Sequence, residues 1–352
     1  MKQTIKICNT ASFSEALQSV ASANLVILIA PSPVFDDCAS RMKLALSDVP
    51  NIGICGQGYA ESKDHPEDIM LVGFYDCHAV VDVIQDANQP ILSVDSLMHH
   101  VTGLAGNKSN TVCLDFTTGN DSVIVTTLNA CLNEKQIPLI GATAWDNKVS
   151  CNGVVYQNAC VYAFLTNKTG SIRPYKENIY CIDETMPAFT ATKIDVAAQK
   201  IVTLDNQKAS SVYQNALHIS ENAIENQTFQ NPIGRLVGDD IFIISVKNKC
   251  PDGSLECYKR ANPMDALTIL QLGDYEKIIQ ETVSQIKRDF PKLSGVFSIN
   301  CILRYLMFQD LHYWDDYLKT MNQLGTHIGI VGCGEHFLTQ HVNQTMTCFA
   351  FD

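Results

Sequence analysis

Three stretches of the chain repeat one order of apolar and small residues. The first opens with Leu25-Val26-Ile27-Leu28-Ile29-Ala30, passes a helical pattern around 37–46, and reaches Asn51-Ile52-Gly53-Ile54-Cys55-Gly56-Gln57-Gly58 before a second apolar run at 69–75. The second runs from Thr111 to Phe116, then a helical pattern at 122–132, then Leu139-Ile140-Gly141-Ala142-Thr143-Ala144-Trp145-Asp146 and an apolar run at 160–165. The third has Gly295 to Ile299, a helical pattern around 311–324, His327-Ile328-Gly329-Ile330-Val331-Gly332-Cys333-Gly334, and the run 346–351. Runs of five to seven apolar residues without polar alternation predict strands covered on both faces. Each unit is therefore expected to be a buried strand, a crossover helix, a second strand parallel to the first, and a hairpin back into the sheet. The interval from the Ile of each Ile-Gly to the next run is 17, 20 and 18 residues (Ile52 to Ile69, Ile140 to Cys160, Ile328 to Met346), which supports a true repeat. The expected fold class is α/β with mixed sheets.

The segment 190–285 breaks the pattern. Lys193–Val196 and Lys200–Leu204 read as a hairpin, 209–217 as a helix, 240–246 and 266–272 as strands, and 275–290 as an amphipathic helix capped by Asp274. A chain of 352 residues exceeds the size of most single cores, so two domains are expected, 1–205 and 206–352. No long Gly/Ser or Pro-rich linker separates them, so they are expected to abut.

Composition narrows the function classes. The chain is 46% hydrophobic and 18% charged, too apolar for disorder and without the unbroken apolar run of about twenty residues that a spanning helix needs. Its net charge of −12 argues against nucleic acid or anionic membrane as partners. Fourteen cysteines contain no Cys-x-x-Cys pair, so paired zinc knuckles and iron–sulfur runs are disfavoured. Several stand inside apolar runs, as Cys113 and Cys348 do, and the N-terminus lacks the apolar core of a signal peptide. A cytoplasmic location with reduced thiols is expected.

Two parts of the third unit are more distinctive. Gly295-Val296-Phe297-Ser298-Ile299-Asn300-Cys301-Ile302-Leu303-Arg304 closes a buried strand with Cys-x-x-Arg, and Gly329-Ile330-Val331-Gly332-Cys333-Gly334-Glu335 is followed by His341-Val342-Asn343-Gln344-Thr345. Both resemble the C-terminal half of FIST-domain proteins. Ile52-Gly53-Ile54-Cys55-Gly56 and Pro138 to Asp146 resemble the first domain of the same family. The resemblance implies a sensory or ligand-binding module that works beside signalling domains, with small ligands such as amino acids. A branch of that family binds haem and reports nitric oxide to a histidine kinase. No kinase, cyclase, chemoreceptor or F-box segment is present in this sequence, so signalling would pass to a separate partner such as a histidine kinase or chemoreceptor.

The candidate residues follow. Cys301 stands at a strand-to-helix junction beside Arg304, where a helix N-terminus and a guanidinium favour thiolate; packing as a small hydrophobe is the alternative. Arg304 has the fork to clamp a carboxylate and Glu335 the charge to accept an amine, so the two suit a zwitterion, or else pair with each other. Gly56, Gly332 and Gly334 are places where backbone approaches closely, to a ligand or to another strand. Asp146 and Asp115 each cap a helix or face the same cleft, and Asn343 bonds a ligand or its own turn. His336 and His341 are haem-ligand candidates, although their five-residue spacing does not match the i, i+4 pair that holds zinc on a helix. The leading expectation is a sensory module that binds a small polar ligand and performs no catalysis. The alternatives are a haem-based nitric-oxide sensor regulating a histidine kinase and a thiol enzyme using Cys301.

Overall fold

The computed structural model describes residues 1–238 and 240–352 and divides into two compact units. Unit 1 comprises Met1–Glu177, Ile279–His341 and Met346–Asp352; unit 2 comprises Asn178–Ile278 and Val342–Thr345. The expected break at 205/206 does not separate these units. The reason is topological, and lies in how the three repeats pair.

Each repeat forms the predicted strand set. Leu25–Ala30 pairs parallel with Asn51–Cys55 and antiparallel with Ile69–Tyr75. Thr111–Thr117 does the same with Leu139–Thr143 and Cys160–Asn167, and Gly295–Cys301 with His327–Gly332 and Met346–Phe351. A further antiparallel strand flanks each set: Lys2–Cys8, Cys77–Ile84 and Ile172–Glu177. The sixth and fifth places in each sheet are filled by a hairpin from another repeat. Val149–Cys151 of the second repeat pairs with Asn51–Cys55 of the first, Glu335–Phe337 of the third with Leu139–Thr143 of the second, and Gln57–Ala60 of the first with His327–Gly332 of the third. The exchange is cyclic, so the C-terminal repeat is joined by backbone hydrogen bonds to both N-terminal ones. Unit 2 is inserted in the third repeat, between Ile172–Glu177 and the helix Tyr275–Asp289, at the place where the other repeats have only a connection and a helix.

Burial explains the continuous apolar runs. All six residues of Leu25–Ala30 are buried: Leu25, Ile27 and Ile29 face a core shared with Phe297, Phe349 and Phe351, while Val26, Leu28 and Ala30 face Phe35, Cys38 and Met42 of the helix Ser32–Ala45. Alternation along a strand sends successive side chains to opposite faces, and both faces here are covered. Each such Leu, Ile or Phe contributes about 1.5–3 kcal/mol. The Ile-Gly of each repeat has a steric cause. A Cβ at Gly141 would stand 1.8 Å from Asp115 Oδ1, and one at Gly329 would stand 2.3 Å from the Tyr59 ring. The glycine clears room for large side chains from both neighbouring strands.

Unit 2 is built on an antiparallel sheet ordered Asp240–Ile243, Ile233–Val237, Ala266–Leu272, Phe189–Asp195, Lys200–Leu204, Leu255–Cys257 and Val246–Lys249. The helix Ala209–Leu217 buries Ala209, Val212 and Tyr213 in its core. The single strand expected at 240–246 is two strands broken at Ser245, whose φ is +55°. The Asp274 cap is present, its carboxylate accepting the Lys277 N–H at 3.1 Å. In the third repeat the helix expected at 311–324 is Trp314–Met321, preceded by a separate helix Ile302–Asp310, with the chain turning at His312 (φ +54°).

Candidate functional site

Several residues expected to face a ligand are instead committed to the fold. Cys301 is the extended residue just before the helix Ile302–Asp310, as its junction suggested, but it is fully buried. Arg304 is fully buried too, donates from Nη2 to Glu177 Oε1, and lies 4.9 Å from the Phe308 ring centroid and 5.4 Å from that of Tyr317. Nη2 is thus held by a core carboxylate, and two aromatic faces flank the guanidinium. Glu335 is buried opposite Ala142 in the sheet. Asn343 belongs to unit 2, where it donates to Ser245 Oγ at 3.2 Å, so it sits in a different unit from Arg304 and Glu335. Gly56 donates to the Ala30 carbonyl, Gly334 accepts from the Thr143 N–H, and a Cβ on Gly332 would come within 3.1 Å of Ala142 Cβ. Asp146 is exposed in the turn before Val149–Cys151 with φ +47°. These glycines and Asp146 serve packing and turns.

None of the fourteen cysteines is in a disulfide. Cys181 and Cys333 are exposed, whereas burial holds thiols such as Cys55 up to about 11. Burial of Cys301 also removes the accessible thiolate that a nucleophile needs.

A different group of ionisable residues is brought together at the exchange between the second and third repeats. Asp115 projects from Thr111–Thr117, and Asp121 opens the helix Asp121–Leu132 after the left-handed turn Gly119-Asn120. The third repeat supplies His336 and His341, from the strands Glu335–Phe337 and Gln340–Val342. A two-residue turn, Leu338-Thr339, makes 336 and 341 cross-strand neighbours, and their ring centroids are 5.1 Å apart. His336 Nδ1 lies 2.7 Å from Asp115 Oδ2, both side chains fully buried. His336 Nε2 is 3.8 Å from Asp121 Oδ1, beyond hydrogen-bond reach, and His341 Nε2 is 3.6 Å from Asp121 Oδ2. Cys160 Sγ approaches Asp115 Oδ2 at 3.8 Å.

The electrostatics follow from the geometry. Burial lowers the pKa of His336, but the carboxylates of Asp115 and Asp121 outweigh it and hold the imidazole at about 9. Burial raises the pKa of Asp115 against the opposing pull of His336. The contact between Nδ1 and Asp115 Oδ2 fixes the ring and directs Nε2 toward Asp121. The same positions in the other two sheets carry no ions. Gly141 lies between Asp115 and His336, Gly329 between Ser298 and Tyr59, and Gly53 between Leu28 and Ser150. The third-repeat equivalent is a neutral hydrogen bond, Tyr59 to Ser298 at 2.8 Å.

A haem iron is not suited by these histidines. His336 is enclosed, with both nitrogens turned toward carboxylates, and His341 turns Nε2 toward Asp121, so carboxylates and not a slot for a planar macrocycle surround these nitrogens.

The tip of the same hairpin borders a cleft of about 530 Å³. It is lined by Lys108, Asn133 and Gln136, by Asn129 and Thr126 of the helix Asp121–Leu132, and by Leu338 and Thr339 of the turn. Lys108 Nζ donates to Gln136 Oε1 at 2.7 Å, and Asn129 Nδ2 donates to the Leu338 carbonyl, tying the turn to the helix. Sequence reasoning did not reach these residues, because none lies in an apolar run or a glycine turn.

A model of the FIST N domain family matches residues 24–207. The chain belongs to the FIST family. No curated protein matches it. The matched FIST segment begins at the Leu25–Ala30 strand and contains both complete N-terminal repeats, with Asp115, Asp121 and most of the cleft; His336 and His341 come from beyond it. FIST domains form a sensory, ligand-binding family. Among the described residues, no helix of this FIST chain is long and apolar enough to cross a membrane.

Proposed function

We propose that this FIST chain is a cytoplasmic sensory module that binds a small polar acid, such as an amino acid, in the cleft beside Lys108, and signals through a separate protein such as a histidine kinase or chemoreceptor. It binds its ligand without turning it over. The observation that carries the reading is the cleft itself. Its volume of about 530 Å³ lies in the range of small-molecule sites, about 300–1,000 Å³. Its walls combine apolar surface with one ammonium and three amide side chains, the few convergent polar groups that orient a small acid. Lys108 would take the ligand carboxylate, with Asn129, Asn133 and Gln136 as donors and acceptors around it. Arg304 and Glu335, the charged pair the sequence offers for that role, are enclosed in the fold.

The turn 338–339 is the route outward. It touches the cleft, and it is held to the helix by Asn129. A ligand that bonds Asn129 changes what holds the turn, and a ligand shifts an equilibrium only through such differential contacts. A thermal-shift screen of free amino acids and short carboxylic acids at millimolar concentration is expected to find a saturable stabiliser. A compound present at 100 times its Kd would add about 2.7 kcal/mol. Lys108→Met and Asn133→Leu are expected to abolish the shift while leaving the unliganded melting temperature within a degree or two of wild type, because both residues are exposed. No stabiliser, or a shift indifferent to both substitutions, contradicts the reading.

A further inference from the structure

We propose that Asp121, His336 and His341 form a binding site for a divalent transition-metal ion, with Asp115 as the residue that positions His336. The donor set is two imidazole nitrogens and one carboxylate, which suits zinc, cobalt, nickel or copper and not the oxygen-only sites of calcium or magnesium. The donor atoms all lie within 4.8 Å of one another. Ligand atoms about 2.1 Å from a tetrahedral ion are about 3.4 Å apart. His336 Nε2 is 3.8 Å from Asp121 Oδ1 and His341 Nε2 3.6 Å from Asp121 Oδ2, so binding an ion draws the donors together from separations of up to 4.8 Å.

Three independent features point to an ion rather than to a structural ion pair. His336 Nε2 is completely buried, has no hydrogen-bond partner, and is aimed into the cluster. Its other nitrogen is held by Asp115 at 2.7 Å, the carboxylate–imidazole arrangement that fixes ring and tautomer in metal sites. The fold itself does not require ions here, because the two equivalent positions use Ser298 with Tyr59 and Leu28 with Ser150. Buried charge is costly, so a repeat that replaces a neutral pair by Asp115 and His336 in one place of three has introduced it for something other than stability. The site is also reachable, since the side chains of Asp121 and His341 are 16% and 9% exposed. Three protein ligands leave a fourth position for water or a donor atom of another molecule. The metal site and the cleft share the 335–342 hairpin but no residue.

The test uses the full chain after treatment with a chelator, titrated with Co²⁺ and followed by visible absorbance, with Zn²⁺ as competitor. The expected result is uptake of one Co²⁺ with the intense d–d bands of a tetrahedral site and no thiolate charge-transfer band, reversed by Zn²⁺. The absence of the thiolate band separates this site from adventitious binding at exposed Cys181 and Cys333. His341→Gln and His336→Gln are expected to remove the saturable band, and Asp115→Asn to weaken affinity about 10–100-fold without changing the stoichiometry. His341 is near the surface, so His341→Gln remains informative if His336→Gln fails to fold by circular dichroism. Absence of saturable Co²⁺ uptake by the wild type, or uptake that His341→Gln leaves unchanged, overturns the proposal.

Discussion

Glu177→Ala is expected to destabilise unit 1 by about 3–5 kcal/mol, the cost of stranding one partner of a buried ion pair. Glu177 ends the strand Ile172–Glu177, and Arg304 stands in the first turn of Ile302–Asp310, 127 residues away, with neither side chain exposed. Removing the carboxylate leaves a guanidinium whose remaining neighbours are the faces of Phe308 and Tyr317, which offset only a part of the desolvation. Both tryptophans, Trp145 and Trp314, belong to unit 1, so urea unfolding followed by their fluorescence reports on that unit alone. Glu177→Ala combined with Arg304→Met is expected to recover most of the loss, because an apolar pair of similar volume replaces a buried ion pair at little cost. A loss under about 1 kcal/mol for Glu177→Ala would show that the pair is not buried as described.

The second large effect is a loss of stability on mild acidification that depends on His327. This residue opens His327–Gly332, is enclosed, and lies 2.7 Å from Ser298 Oγ in a neutral chain of hydrogen bonds that continues through Tyr59 and Asn300 to Tyr317. Burial drives its pKa down to about 3. The unfolded chain, with an ordinary imidazole near 6.5, then binds the proton that the folded chain refuses. Stability from this group is present above pH 6.5 and is lost as pH falls from about 6.5 toward about 3. At pH 5 the loss is about 2 kcal/mol, from about 1.4 kcal/mol for each pH unit below 6.5. Carboxylates also titrate at low pH, so the comparison is with His327→Gln. The stability gap between wild type and variant is expected to narrow by about that amount between pH 7 and pH 5. Parallel curves would contradict a neutral buried His327.

The sequence made the repeats legible because a strand covered on both faces must be apolar throughout, and such runs are visible without any knowledge of pairing. Leu25–Ala30 and Ile69–Tyr75 were readable to the residue, and so were the parallel pairs, since a crossover helix lay between each. The helix cap at Asp274 was readable for the same local reason. The cyclic exchange of hairpins was not, because nothing local tells a strand such as Glu335–Phe337 to join a sheet almost two hundred residues upstream. The candidate site suffered from the same limit. Asp115 is visible at the end of an apolar run and His336 and His341 are close in sequence, but their five-residue spacing misses the i, i+4 geometry of a helix and is met instead by a two-residue hairpin turn. Arg304 stands out as the guanidinium of Cys-x-x-Arg after a buried strand, yet its partner Glu177 lies on the far side of the inserted unit in sequence. The FIST resemblance identified the family and, through it, the sensory class, but the residues that line the cleft carry no motif.

The measurement that bears most directly on the sensory reading is hydrogen–deuterium exchange with and without saturating amounts of the most stabilising acid found in the screen. Slowed exchange is expected in the stretches 105–110, 126–138 and 335–341, which carry Lys108, the helix face and the hairpin, with little change around Cys301 and Arg304. Protection centred on 301–308 instead, or none in the hairpin, would contradict a ligand cleft beside Lys108.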